Sequence, residues 1–498
     1  MIGADLLALD AAELSDLVRD GRARAEPVVE ASLAVIARGQ SAGDRIFVAA
    51  HTGARGAFAA AARIGGGVAD TRKHARQRGG GPLAGLPVAV ADDIADLALP
   101  TTAGSRALAG YVSPFEATAV ARLLAAGAVV VGKTNMDEFG LGWSTEFSSY
   151  GAARNPAAPD RTPGGAAGGA AAAVASGAVR IALATDTAGA VRQAAAGCGV
   201  VGVRPTYGRV SRSGVVACAS SLDQVGVLGR TVADAALALE VVGGRDPRDP
   251  TSADLEMPAL RLPPGPVRDG RPLKGVRVGR PREYFDAIAD SGIRERADAV
   301  LALARDLGAD VKDVSLRHAA LASPACVAIT AAEVSSNLAR IDGVRFGPRA
   351  GAPNARTVYE TSRAEGFGPE VVRRLVLGTH LLSDPDGEQL HRRALDARAK
   401  VAHDYGRLLD DVDLLVTPTT PLPAFAVGSA AADLAAAHAY DGCTAAASLA
   451  GLPAMSIPIG RVSGCPVGAQ LVGRHFGEAL LFRAAAALER ALGAEAHA

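Results

Sequence analysis

An excess of charge of either sign is missing from this chain of 498 residues: 52 Lys and Arg stand against 52 Asp and Glu, for a formal net charge of zero. That balance gives no support to a nucleic-acid-binding or membrane-surface role. The cysteines are few, and Cys198, Cys218, Cys326, Cys443 and Cys465 form no CxxC pair and no metal-ligand spacing. They read as reduced core residues, with neither a disulfide framework nor a metal site. The N-terminus lacks the basic start and unbroken apolar run of a secretory signal. No stretch of about 18 apolar residues is free of charge or dense glycine, which argues against a membrane span. A soluble cytoplasmic protein is the expectation.

What is present is a chain that is 49% hydrophobic, enough for a large core. Helical periodicity opens it over residues 4–20 and 28–38. A Gly/Arg-rich stretch at 65–81 reads as a flexible surface loop. Strand candidates at 86–92, 128–135, 181–185, 276–281, 309–315, 413–419, 455–460 and 468–473 alternate with helical runs such as 117–127 and 170–177, and a helix closes the chain. Alternation of this kind predicts an α/β fold: a large mixed, mostly parallel sheet covered on both faces by helices. The proline- and glycine-rich segment 263–275 is an internal linker within what reads as one domain over 1–498.

The segment TPGGAAGGAAAAVASG (162–177) sets glycines before a helix start. It lacks the Lys-Ser/Thr ending of a P-loop and the GxGxxG spacing of a dinucleotide site, so no nucleotide cofactor is expected. Its context is more specific. GLPVAVADDI, VVVGKTNMDEFGLG, PGGAAGGAAAAVASG, ATDTAGAVRQAAAGCGVVGVRPTYGRVSRSGVV and ASSLDQVGVLGRTVADAA, in this order, resemble the amidase signature family. SNLARIDGVRFG, TSRAEGFGPEVVRRLVLGT and SLAGLPAMSIPIG extend the resemblance through the second half. Within the family it is strongest to the A subunits of tRNA-dependent Glu/Asp amidotransferases. The resemblance implies the amidase-signature fold and a Ser–cisSer–Lys relay for amide hydrolysis.

Carried over residue by residue, that relay falls on Ala91 in PVAVADD (lysine), Ala166 in GGAAGG (bridging serine) and Ala190 in DTAGAVRQ (nucleophile). A methyl group has no lone pair and no titratable proton, so the family's attacking atom and base are both missing at these positions. In another serine hydrolase such a loss costs on the order of 10⁶ in turnover. The oxyanion loop falls on Thr187, Ala188 and Gly189, and the β-carbon of Ala188 strains a conformation that glycine would allow. Cys218 is the candidate for a replacement nucleophile.

The resemblance also implies ligand contacts. Asp441 in AHAYDGCT suits an α-ammonium group, and Arg374 or Arg373, with Arg363 as a further candidate, suits an α-carboxylate. The first expectation is therefore an amidase-like protein inactive as a hydrolase, which binds a ligand or stabilises a partner. Two alternatives stand beside it: an enzyme repurposed for cyclisation or condensation, and residual amidase or glutaminase activity through a non-family nucleophile. The partners expected are an amino-acid or amide-like small molecule and a protein partner or second copy, without direct nucleic-acid or membrane contact.

Overall fold

The computed structural model describes residues 3–62, 80–261, 270–351 and 353–493. Most of the glycine-rich loop at 65–81, and residues 263–269 of the expected linker, lie outside the described residues; 270–275 form a turn leading into a strand.

Eleven strands hydrogen-bond into one sheet. They are β1 (Phe47–Ala50), β2 (Pro87–Ala91), β3 (Val129–Thr134), β4 (Ile181–Asp186), β5 (Val201–Arg204), β6 (Gln224–Gly229), β7 (Arg277–Pro281), β8 (Asp310–Val314), β9 (Leu414–Pro418), β10 (Ala454–Val462) and β11 (Cys465–Gly473). Their spatial order is β1-β3-β2-β4-β6-β5-β10-β11-β9-β7-β8, so strands from before and after the 263–275 joint share the same sheet. The sheet is mixed. Parallel pairs form two wings, β3-β2-β4 on one side and β9-β7-β8 on the other. Antiparallel pairs run between the wings and also join β1 to its edge. Strands β2 to β6 and β11 are buried along their length, as a sheet covered by helices requires.

The first helical run is divided in two, Gly3–Leu7 and Ala11–Arg19, because Asp10 caps the second helix by accepting from Glu13 N–H. The alanine runs have a packing reason. Helix Gly168–Ala175 lies against helix Ala190–Cys198, and both are almost wholly buried on the sheet. A β-carbon at Gly165 would sit 2.4 Å from Ala190 O, and one at Gly197 would sit 2.4 Å from Pro163 O. Only small residues allow this approach. By length and composition one stretch, Ala319–Arg340, would suit a membrane crossing, but half of it is buried within the fold. Its central helix Ala322–Asn337 packs on helices Pro369–Ser383 and Pro385–Asp411, as a core helix does.

Candidate functional site

β4 ends at Asp186, and the chain turns through Thr187, Ala188 and Gly189 into the helix that starts at Ala190. Asp186 anchors this corner from below. Arg192 reaches back to it with Nε at 3.1 Å and Nη2 at 2.9 Å, and Arg204 donates to its carboxylate and its carbonyl. Burial pushes the Asp186 carboxyl up, but the two guanidiniums outweigh it and hold the group below its ordinary value. Arg192 also donates to Thr444 O, Gln470 Oε1 and Ser448 Oγ, which ties the corner to the C-terminal part of the chain.

A cavity opens above this turn. Thr187, Ala188, Ala190, Gln193, Trp143, Cys218, Cys326, Thr330, Arg374 and Asp441 supply its chemically distinctive walls. Asp441 accepts from Trp143 Nε1 at 2.9 Å and from Gln193 Nε2 at 3.0 Å. Burial raises its pKa, and these two donors together with Arg374 pull it partly back. Arg374 donates through Nε to Glu370 at 2.8 Å and lies over the Trp143 ring. An acidic and a basic side chain thus face one cavity.

The other predicted ligand contacts divide. Arg373 forks onto Glu370 and does not line the cavity. Arg363 lies elsewhere: it donates to Leu338 O and Ile341 O and stacks between Tyr359 and Phe367, a structural role. Trp143, Gln193, Cys326 and Thr330 were not singled out from the sequence. The chain's single tryptophan was the available signal for the first.

Ala91 ends β2 and Ala166 sits in the glycine loop, both buried; Ala190 borders the cavity. The strand register sets Thr134 beside Ala91, and its buried Oγ1 makes no hydrogen bond. The buried Asp93 Oδ1 also has no partner. Lys133, on the same strand as Thr134, turns away and donates to Ile94 O and Thr101 Oγ1. Ala188 is free of the strain expected of it: it is not among the residues with positive φ, whereas Gly189 has φ 138°. A β-carbon at Gly189 would lie 2.1 Å from Thr444 Oγ1.

Cys218 does border the cavity, but it is a poor nucleophile. Burial first, and then the charge of Asp223, push its thiol far above the ordinary range and keep it protonated. Asp223 instead takes a hydroxyl. Thr187 Oγ1 donates to Asp223 Oδ1 at 2.8 Å, and the Ala219 and Cys218 N–H groups complete the carboxylate's contacts. Among the described residues no cluster of His, Cys, Asp and Glu has the arrangement of a metal site.

Residues 32–482 match the amidase family. The chain belongs to that family. This amidase-family chain is 46% identical over 486 residues to the A subunit of the glutamyl-tRNA(Gln) amidotransferase of Symbiobacterium thermophilum, covering 97% of the chain and 96% of the relative. It is 48% identical to the corresponding subunit of Anaeromyxobacter dehalogenans, over 90% of the chain and 91% of the relative. The crystal structure of the Thermotoga maritima counterpart superposes with a TM-score of 0.76 at 35% identity, covering 98% of this chain and 94% of that one.

These matches correct the functional expectation drawn from the alanines. The reading of an inactive, ligand-binding or partner-stabilising protein, and its alternatives with it, are not supported by these relatives. Relatives 44–48% identical over most of the chain carry the name of an amidotransferase A subunit.

Proposed function

We propose that this amidase-family chain is the A-type subunit of an amidotransferase assembly, acting on the side-chain amide of an amino acid and passing the released ammonia to a partner subunit. The observation that carries this reading is the pairing of Asp441 and Arg374 on one cavity above the strand-to-helix corner. Asp441 faces an α-ammonium group, and Arg374 faces an α-carboxylate. Between them the amide end of the ligand reaches the start of helix Ala190–Cys198, whose dipole presents its positive end to the developing oxyanion.

On this reading Ala91, Ala166 and Ala190 stand where the family resemblance sets its relay. With zero formal net charge, contact with the tRNA has to come from a partner or from a local patch on this chain. The test is ammonia release from glutamine by the assembly purified through a tag on this chain, together with calorimetry of glutamine and asparagine on the chain itself. The expected result is co-purification of a second subunit, heat on adding glutamine, and turnover. A folded sample that gives neither heat nor ammonia rules the reading out.

A further inference from the structure

Glu370 lies in the first turn of helix Pro369–Ser383, and Arg373 and Arg374 follow it at the i+3 and i+4 positions, so the three side chains meet on one face. The buried Glu370 carboxylate holds both guanidiniums at once. Arg373 donates through Nε to Oε2 and through Nη2 to Oε1, each at 2.7 Å, and Arg374 donates through Nε to the same Oε1 at 2.8 Å. Burial pushes the Glu370 carboxyl up, but the Arg373 bonds and the Arg374 charge outweigh it and hold the group below its ordinary value.

His438 stands behind Arg373, its Nε2 3.2 Å from Arg373 Nη2. A guanidinium only donates, so this nitrogen accepts and the ring is neutral. Burial, and then the charges of Arg374 and Arg373, bring the imidazole down to about 4, which keeps it so. The same ring packs edge-on against Trp143, with centroids 4.5 Å apart.

Arg374 borders the cavity, whereas Glu370, Arg373 and His438 do not. Its Nε is committed to Glu370 and its guanidinium lies over the Trp143 ring. Among the described residues its two Nη groups have no hydrogen-bond partner. That leaves free the edge of the fork that a carboxylate meets at two points.

We propose that Glu370 is a positioning residue: braced by Arg373 and His438, it turns Arg374 so that both Nη groups face the ligand, and the cavity thereby selects amino acids by a free α-carboxylate. The inference rests on the amidotransferase reading above and goes beyond it in naming the side chains that act through Arg374. The sign of a substitution separates position from charge. A Glu370 that were only a neighbouring negative charge would repel a carboxylate, and its removal would tighten binding. As the holder of Arg374, its removal weakens binding.

The experiment is calorimetry on the full chain with two ligands, glutamine and 4-aminobutanamide, which is glutamine without its α-carboxylate. The wild type is expected to bind glutamine at least ~10-fold more tightly than 4-aminobutanamide. Glu370→Ala is expected to weaken glutamine at least ~10-fold and to leave 4-aminobutanamide within about threefold. Glu370→Gln returns an acceptor oxygen to Arg374 Nε without the charge. It is expected to weaken glutamine at least ~3-fold but less than Glu370→Ala does, and it carries the test alone if Glu370→Ala does not fold. Glutamine affinity that is unchanged or tighter in a folded variant overturns the assignment. So does an equal loss for both ligands, the mark of a general disturbance of the fold, and so does a wild type that binds the two equally. A wild type that binds neither ligand overturns the amidotransferase reading beneath it.

Discussion

Arg192 meets Asp186 in a two-point contact, Nε 3.1 Å from one carboxylate oxygen and Nη2 2.9 Å from the other, with both side chains fully buried. The pair joins the end of β4 to the first turn of the next helix, so it fixes the angle at which the cavity's floor is presented. Removing one member leaves the other charged, buried and short of partners. Arg192→Met is expected to destabilise the fold by about 3–5 kcal/mol. Denaturant unfolding monitored by circular dichroism measures it. A loss below about 1 kcal/mol, the range of an exposed pair, means that the contact is not a buried anchor.

Gly189 and Ala188 offer a paired test of the same turn. At Gly189 a methyl group meets Thr444 Oγ1 at 2.1 Å and Thr444 Cβ at 2.5 Å, on a backbone with φ 138°. Gly189→Ala therefore costs at least ~2 kcal/mol through overpacking and backbone strain together. Ala188 has no such backbone constraint, and Ala188→Gly changes stability by no more than about 1 kcal/mol, through unfolded-state entropy. Thermal unfolding of the two variants side by side checks the contrast. Equal losses contradict the described turn geometry.

The strands were the most legible part of the sequence. The runs at 86–92, 128–135 and 181–185 are β2, β3 and β4, and those of the second half are β7 to β11. β1, β5 and β6 escaped notice. β1 and β5 are only four residues long, and β5 and β6 lie inside glycine-rich motif stretches whose periodicity is weak. Asp441 and Arg374, picked out by motif position, border one cavity. Arg363 was not separable from them, because a sequence does not say which of several arginines stacks between aromatic rings. The Thr187–Asp223 pair was invisible for a related reason. The partners lie 36 residues apart, and only the adjacency of β4 and β6 brings them together.

Trp143 turns the cavity into its own reporter. It is the chain's single tryptophan, and its indole N–H donates to Asp441 at 2.9 Å beneath the Arg374 guanidinium. An α-ammonium group arriving at Asp441 changes the field at that ring. Titration with glutamine is expected to shift or quench the intrinsic emission saturably, and Asp441→Asn is expected to weaken the apparent affinity by at least ~10-fold, as loss of a charged hydrogen-bonding partner does. Emission that stays flat while calorimetry registers binding would place the ligand away from Asp441.

Asp93 sets the direction in which stability depends on pH. Its carboxyl is buried, accepts from Thr185 Oγ1 at 2.5 Å through one oxygen, and leaves the other without a partner. Burial raises it to about 7, with the Thr185 bond and Lys133 opposing and Asp223 and Asp92 adding to the rise. Between the unfolded value near 3.8 and this folded value, the folded chain holds a proton that the unfolded chain has released. The group's contribution is therefore fully present below about pH 4 and is lost as pH rises toward 7. Asp93→Asn keeps an oxygen for Thr185, puts an amide where the unpartnered oxygen stood, and does not titrate. From pH 5 to 7.5 the wild type is expected to lose about 2–3 kcal/mol more than Asp93→Asn. Denaturant unfolding of both proteins at the two pH values measures the difference. A wild type that gains stability relative to the variant over this range means that Asp93 is ionised in the fold throughout.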